Sequence, residues 1–421
     1  MTPQRPRIWR GKPVSRFHVM AKPIGPTCNL NCDYCYYLSK AGLLDAGVES
    51  RMSDELLETF IRQYIERQNH KEIIFSWQGG EPTLLGLDFF KKVVALEQKY
   101  CPPHKRVEND LQTNGTLLDD EWCEFLTAND FLVGLSIDGP QHLHDAYRQD
   151  AAGNGSFTRV MQGVRLLKKH GTRFAALCCV NRKTGQHPLE VYRFLRDQVG
   201  AQRIQFIPIV EPKVFRDTAP QRWPAESQPM LGSSAARPGT PDSVVEDWCV
   251  DPDDFGDFLC SIFGEWHRRD LGKIYVHYFD ACVETWMGRV NPLCTLAPMC
   301  GKGLAIEHDG TVYACDHYVY PEYARGNIMD TPADQLVFTP EQELFGKGKE
   351  GTLPAYCRSC EYLFACFGEC PKNRFLRTPE GEPGLNYLCS GWKRFFKYID
   401  EPVRNIIRRM GETVNIPDTS Q

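Results

Sequence analysis

The 421-residue sequence predicts an α/β fold: a partial (β/α)6 TIM-like barrel followed by a C-terminal cysteine-rich domain. Three features carry that expectation. Six short β-rich runs alternate with helical periods between residues 17 and 209, three cysteines spaced CxxxCxxC follow the first run, and eight more cysteines fall between 294 and 389. With 42% apolar and 24% charged residues, the composition is that of a globular protein large enough for two or three domains.

The β-rich runs are 17–22, 72–77, 106–112, 131–137, 173–180 and 203–209. Between the first two, Leu57, Phe60, Ile61, Tyr64 and Ile65 recur at helical spacing behind Ser53, a candidate N-cap. Phe157, Val160, Met161, Val164 and Leu167 repeat the pattern, and Gly171 is the expected C-terminal stop. His187-Pro188 opens another helix, with proline tolerated in its first turn, and Gly200 closes it. Strands that alternate with helices imply a parallel sheet joined by right-handed crossovers, closed into a barrel or part of one.

In such a barrel the working residues sit on loops after the C-terminal ends of the strands. The first run leads into Cys28, Cys32 and Cys35, the second into Gln78-Gly79-Gly80-Glu81-Pro82, the third into Thr113-Asn114-Gly115, and the fourth into Ser136 and Asp138-Gly139-Pro140. A diglycine exposes backbone N–H and C=O groups to close approach by a cofactor, although Gly-Gly and Asn-Gly also serve as plain turns. Convergence on the rim that carries the cysteines gives these loops their weight. Three thiolates hold three corners of a 4Fe-4S cube and leave the fourth iron without a protein ligand. A structural zinc takes four ligands, and no histidine stands near this loop, since His18 precedes it and His70 lies far beyond.

Residues 217–247 contain five prolines and no sustained period, which reads as a long surface insertion or lid. Asp251-Pro252 then starts a helix whose stripe of Phe255, Phe258, Leu259, Ile262, Phe263 and Trp266 is core packing, and 273–278 reads as a strand leading out of the barrel. Farther on come Cys294 and Cys300, then a hairpin over 305–314 with its turn at Asp309-Gly310 that delivers Cys315, then Cys357, Cys360, Cys366, Cys370 and Cys389. Eight thiolates complete two four-cysteine sites, which iron-sulfur clusters or zinc ions would both satisfy. The expected domains are a flexible basic arm (1–16), the barrel (17–250), a connecting helix and strand (251–290), the cysteine-rich domain (291–400) and a tail (401–421).

The totals narrow the partners. A formal net charge of −5 gives no reason to expect nucleic acid or an anionic membrane surface, and no run of eighteen apolar residues exists to span a bilayer. The arm carries five Arg or Lys residues and no apolar core, so it is not read as a secretory signal. Eighteen cysteines without an export signal point to a cytoplasmic protein whose thiols bind metal rather than pair as disulfides.

The loop Cys28-Asn-Leu-Asn-Cys32-Asp-Tyr-Cys35 resembles the signature of the radical S-adenosylmethionine (radical SAM) enzymes, in which the open iron is chelated by the amino and carboxylate groups of the cofactor. Gly-Gly-Glu-Pro at 79–82 resembles the family's second signature. On that resemblance Gly80 binds the cofactor, Tyr34 matches the aromatic that helps seat it, and Ser136, Arg148 and Val210 align with further contacts. The later cysteines resemble the SPASM auxiliary-cluster domain, which implies one cluster on Cys294, Cys300, Cys315 and Cys370 and another on Cys357, Cys360, Cys366 and Cys389. The implied cofactors are three 4Fe-4S clusters and S-adenosyl-L-methionine. The remaining Cys101, Cys123, Cys178, Cys179, Cys249, Cys260 and Cys282 read as buried apolar fillers, with Cys282 nearest the cluster region.

A sharper resemblance, over about 17–396, is to the anaerobic sulfatase-maturating enzymes, through Trp77-Gln-Gly-Gly-Glu-Pro, Leu111-Gln-Thr-Asn-Gly-Thr, Val133-Gly-Leu-Ser-Ile-Asp-Gly-Pro and Ala314-Cys-Asp-His. It implies oxidation of one cysteine or serine of an unfolded or nascent sulfatase to Cα-formylglycine, with electrons from a reduced flavodoxin or ferredoxin. A cofactor radical takes hydrogen from Cβ, Asp316 acts as the catalytic base, and the auxiliary clusters receive the second electron. Two rivals keep the same cysteines: a peptide-crosslinking radical SAM enzyme, which the Cys315-Asp316 pair disfavours, and an iron-sulfur electron carrier, which gains nothing from an open iron.

Overall fold

The structure is a computed structural model that describes residues 8–9, 12–13, 17–44 and 50–414. Ile8–Trp9 and Lys12–Pro13 pair as a short antiparallel ladder. The rest of the basic arm, and with it the expected flexibility, lies outside the described residues, as do 415–421 of the tail.

The barrel builds from β1 (His18–Lys22), α1 (Asp54–Arg67), β2 (Glu72–Trp77), α2 (Leu87–Tyr100), β3 (Arg106–Thr113), α3 (Asp120–Ala128), β4 (Leu132–Ser136), α4 (Phe157–His170), β5 (Phe174–Val180), α5 (Pro188–Arg193) and β6 (Arg203–Pro208). Local chemistry sets the boundaries. Ser53 Oγ accepts the Leu56 N–H at 3.2 Å to open α1, and Gly171 closes α4 at φ +66°. The apolar face of α1 buries Leu57, Phe60, Ile61, Tyr64 and Ile65 against β2, where Phe60, Tyr64, Phe75 and Trp77 pack as an edge-on and stacked aromatic cluster.

Beyond the barrel come α6 (Pro252–Arg269), β7 (Tyr275–Val276), α7 (His277–Trp286), β8 (Gly303–Glu307), β9 (Thr311–Tyr313), β10 (Ala324–Asn327), α8 (Pro340–Gly351), β11 (Arg374–Arg377), β12 (Pro383–Asn386) and α9 (Cys389–Arg409). The main sheet is open, in the order β10-β9-β8-β1-β2-β3-β4-β5-β6-β7. The hairpin of the cysteine-rich domain is thus part of the barrel sheet: β8 pairs in parallel with β1, with Glu307 opposite Lys22. Everything that follows β9 starts from a fixed position two strands from β1.

Three expectations change. The 273–278 run does not lead out of the barrel; only Tyr275–Val276 is a strand, it extends the sheet in parallel beside β6, and His277 begins a helix. The 217–247 segment is a strap rather than a lid. Leu231 N–H donates to the Arg377 carbonyl at 3.0 Å, Arg377 N–H to Pro229 at 2.8 Å, and Ala236 and Val245 are buried. Proline-rich composition fixed irregular backbone here without making it loose. Finally, α9 carries the expected tail on to Arg409 and lies across α6, where a Cβ on Gly391 would meet the Pro252 carbonyl at 2.2 Å and one on Gly256 would meet the Gly391 Cα at 2.8 Å. That close crossing joins the barrel to the cysteine-rich domain.

Candidate active site and cluster-binding cysteines

The first three cysteines occupy the loop after β1, and main-chain bonds to two other rim loops fix its course. Asn31 and Asp33 donate to the Gln149 and Tyr147 carbonyls at 2.7 and 3.1 Å, while Gly80 and Glu81 donate to Gly25 and Thr27 at 2.8 and 2.9 Å. Gly80 has no room for a side chain, because its Cβ would stand 2.0 Å from the Thr27 carbonyl oxygen. The glycine is therefore required by the cysteine loop itself, a structural reason that the sequence reading did not give it.

The remaining rim residues knit together beneath this loop. Tyr34 OH donates to Asp138, and Arg148 Nε and Nη2 donate to the same carboxylate at 2.9 and 3.2 Å. The Cys179 N–H completes the set at 2.9 Å. Asp138 is wholly buried; the sequence places it on the rim after the fourth strand, in Ser-Ile-Asp-Gly-Pro, but assigns it no role. Cys179 is likewise more than filler, since its Sγ lies 3.5 Å from Arg148 Nη2, and Cys249 Sγ bonds the Glu211 backbone at 3.1 and 3.3 Å. Ser136 accepts from Gln112 Nε2 at 2.9 Å at the end of β4. Glu81, also unassigned from sequence, accepts from Thr83, Thr113 and the Asn114 N–H at 2.6–3.1 Å and locks the second and third rim loops together. Val210 is buried, and its carbonyl accepts from Lys372 of the C-terminal domain at 2.5 Å.

Asp316 faces this rim from the other side. Its carboxylate pairs with Lys22 at the end of β1 and accepts from Tyr36 OH at 2.5 Å. Tyr36 packs against His317 with ring centroids 5.0 Å apart, and the Lys22 ammonium lies 3.8 Å over the Tyr37 ring. Burial alone raises the Asp316 carboxyl, but the Lys22 ammonium, His317 and the two hydrogen bonds outweigh it and hold the group down at about 2.

The other eight cysteines separate into two neighbourhoods. Cys294 and Cys370 raise the Cys315 thiol, and Cys294 acts on Cys300 and Cys370, whereas Cys357 and Cys360 raise Cys366 and Cys389. Cys357, Cys360, Cys366 and Cys389 line a single cavity closed by Tyr362, Trp392 and Phe396. The donors suit thiolate-bound iron. Backbone N–H groups of Leu30, of Tyr37 and Leu38, of His317 and of Lys372 point at the sulfurs of Cys28, Cys35, Cys315 and Cys370. Burial pushes the thiols up, Cys28 to about 11 and Cys366 and Cys370 to about 12, and a cation bound to them would offset that by favouring the thiolate.

Two buried cations separate the groups. Lys349 Nζ donates to the carbonyls of Cys294, Thr295 and Ala297 at 2.5–2.7 Å, and Arg374 donates to those of Gly368, Lys349, Phe367 and Glu369 at 2.5–3.1 Å. Neither was singled out from sequence, since a lone Lys or Arg in a polar stretch carries no local signal. On the outer surface His142, His187 and Glu190 also converge, an exposed group in which His187 Nδ1 stands 3.1 Å from Glu190.

The chain matches the radical SAM superfamily over residues 23–195 and an iron-sulfur cluster-binding domain over 294–361. It is 44% identical over 382 residues to a serine-type anaerobic sulfatase-maturating enzyme of Bacteroides thetaiotaomicron, covering 91% of this chain and 89% of that protein. It is 31% identical over 382 residues to a cysteine-type enzyme of Clostridium perfringens, covering 90% and 95%. Among solved structures it is similar to anSMEcpe with bound AdoMet and a Kp18Cys peptide, with a TM-score of 0.79 at 30% identity over 94% of this chain and 100% of that one. Loop geometry, paired cysteine groups and whole-length similarity agree: the chain belongs to the anaerobic sulfatase-maturating enzymes of the radical SAM superfamily.

Proposed function

We propose that the chain oxidises one serine or cysteine of an unfolded sulfatase polypeptide to Cα-formylglycine without oxygen, with serine as the preferred target. The observation that carries this reading is the placement of the Asp316 carboxylate, held by Lys22 and Tyr36, on the same rim as a loop with three cysteines. Greater identity to a serine-type than to a cysteine-type relative supports the serine preference.

In this reading Cys28, Cys32 and Cys35 hold the cluster that leaves one iron open, and Tyr34, Gly80, Ser136, Arg148 and Val210 seat S-adenosylmethionine. Cys294, Cys300, Cys315 and Cys370 hold one auxiliary cluster and Cys357, Cys360, Cys366 and Cys389 the other. When bound, these groups supply the one-electron chemistry that breaks a Cβ–H bond, which no ionisable side chain can do. The protein's own share is position and proton movement. The Asp138 carboxylate fixes Tyr34 and Arg148, and the Arg148 guanidinium, though paired with Asp138, favours the thiolate of Cys32. Asp316 accepts the hydroxyl or thiol proton of the target. A carboxylate held this low is a weak base, but it is always free of its proton, and the bonds from Lys22 and Tyr36 can be exchanged for one from the substrate.

A reduced flavodoxin or ferredoxin serves as electron donor, and the cytoplasm is the compartment that keeps such a chain reduced. Among the described residues no helix is long and apolar enough to cross a membrane. The test is anaerobic turnover with paired Ser-x-Pro-x-Arg and Cys-x-Pro-x-Arg peptides, read by mass spectrometry. Loss of two hydrogens from the serine peptide, with faster turnover than the cysteine peptide, is expected. Formation of 5'-deoxyadenosine with a crosslinked product, or with no aldehyde on either peptide, would sink the proposal.

A further inference from the structure

Apart from the cysteine sites, three metal-ligating side chains meet where the segment after β4 packs against α5. His142 lies on the single helical turn Gln141–His144, His187 is the residue before α5, and Glu190 stands three positions further on. A helix's cap residue and its third residue face each other, so His187 and Glu190 converge by their spacing alone, and His187 spends neither ring nitrogen on capping the helix. His187 Nδ1 lies 3.1 Å from one carboxylate oxygen of Glu190 and His142 Nε2 lies 3.7 Å from the other, with the two imidazole rings 5.9 Å apart and nearly perpendicular. One ligand atom from each residue falls within 4.8 Å of the other two.

The three side chains are open to solvent, but the backbone that carries them is anchored. Leu143 and His144, next to His142, are buried; His144 Nδ1 accepts the Asp138 N–H at 3.3 Å, and its Nε2 pairs with Ser156 Oγ at 2.9 Å. Val191, next to Glu190, is buried against the same segment, where a Cβ on Gly139 would meet its Cγ2 at 3.1 Å. A tetrahedral ion with ligand bonds of about 2.0–2.1 Å spaces its ligand atoms about 3.4 Å apart, and the two printed separations from Glu190 bracket that value. Were the pairing purely ionic, both rings would have to be protonated and would repel each other. A shared cation instead lets two neutral rings and one carboxylate close on a single point.

We propose that His142 Nε2, His187 Nδ1 and the Glu190 carboxylate form a three-ligand site for a divalent transition-metal ion of the zinc class, which ties the segment carrying Asp138 to the start of α5. Two imidazoles select against magnesium and calcium, which take oxygen ligands, and the exposure of the group leaves the fourth position to water. The ion's role is that of a staple. It binds only where the two segments are packed together, so it stabilises the folded chain by mass action, and through His144 it steadies the backbone of the carboxylate that holds Tyr34 and Arg148.

The experiment titrates zinc chloride anaerobically into the full chain with its clusters already reconstituted, so that the eleven paired-up cysteines are occupied by iron. Zinc retained after desalting, zinc-edge X-ray absorption and the thermal midpoint are measured for wild type, His187→Gln, Glu190→Gln and His142→Gln. Wild type is expected to retain one zinc per chain with a nitrogen and oxygen shell at about 2.0–2.1 Å and no sulfur at about 2.3 Å, and its midpoint should rise with added zinc. Each variant should lose zinc affinity at least roughly tenfold and lose the zinc-dependent rise, with iron content and the zinc-free midpoint unchanged. Because His142 comes from a different segment than the other two, loss in all three variants shows that the ion bridges the segments. A sulfur shell, or zinc retention in the variants within twofold of wild type, overturns the assignment, as does a midpoint that zinc does not move. Should one variant fold poorly, which its zinc-free midpoint reports, the other two and the ligand shell of wild type decide.

Discussion

The barrel and the C-terminal domain hold their cysteines in opposite ways. Cys28, Cys32 and Cys35 lie on one continuous loop, clipped by main-chain bonds to Gly80, Glu81, Tyr147 and Gln149, and their surroundings are the polar wall of Tyr34, Asp138 and Arg148. The eight later cysteines are drawn from 294 to 389, and each group interleaves segments far apart in sequence, with Lys349 and Arg374 buried between them. A loop can be reactive because its shape is set by neighbours that fold without it. Sites closed over long stretches of chain are instead coupled to the folding of their domain.

The sharpest test of this contrast removes one sulfur from the loop. Cys32→Ala is expected to abolish S-adenosylmethionine cleavage while iron falls from about twelve to about eight per chain, because only one of three four-iron sites is lost. The thermal midpoint should move little. Iron loss from all three sites, measured together with the midpoint, would show that the loop is as much a part of the folding unit as the later cysteines. Next in size is Asp316→Asn, which removes the acceptor but keeps the shape. All three clusters and formation of 5'-deoxyadenosine should persist, and aldehyde formation should drop roughly 10²- to 10⁴-fold. Unchanged aldehyde output in a peptide assay removes Asp316 from proton transfer.

Arg374→Met probes the other side. Four carbonyls that now share one guanidinium would lose it, with only that of Gly368 keeping a second donor, Asn386 Nδ2 at 3.4 Å, a loss of about 3–5 kcal/mol within the C-terminal domain. The expected result is a lowered unfolding midpoint and loss of the two later clusters, with the loop cluster still binding S-adenosylmethionine. Equal damage to all three sites, followed by iron content and electron paramagnetic resonance, would mean that the close crossing at Gly256 and Gly391 makes one cooperative unit of the whole chain.

What was legible in the sequence follows the same division. Short β-rich runs located β1–β6, 3.6-residue periods and helix stops located α1, α4 and α5 but not α2 or α3, and the CxxxCxxC spacing located the loop, because these signals are local. The parallel pairing of β8 with β1 was not legible, since nothing in Gly303–Glu307 says which strand it will join across about 280 residues of chain. Asp138, Glu81, Lys349 and Arg374 were missed for a related reason. Each works by collecting partners from several elements, and a single charged residue has no pattern of its own.

The smallest expected effect belongs to a position remote from both cysteine regions, and it sets the baseline for the larger ones. Glu97 on α2 is buried, with one carboxyl oxygen accepting from Asn109 Nδ2 at 2.9 Å and the other without a partner among the described residues. Asn109 in turn accepts from Trp77 Nε1 at 2.7 Å. Burial raises the Glu97 carboxyl from 4.5 to about 8, against the weaker lowering by Asn109. The folded chain therefore keeps this proton through a range in which an unfolded chain has already released it, so stability falls as pH rises from about 4.5 toward about 8. Glu97→Gln keeps the shape and the bond to Asn109 but has no proton to lose. It should match wild type in unfolding free energy near pH 5, exceed it by about 1–3 kcal/mol near pH 8, and leave cluster content and turnover unchanged. A variant that follows the wild-type pH slope would show that the fall originates elsewhere, and the buried groups nearer the cysteines would then have to be searched for it.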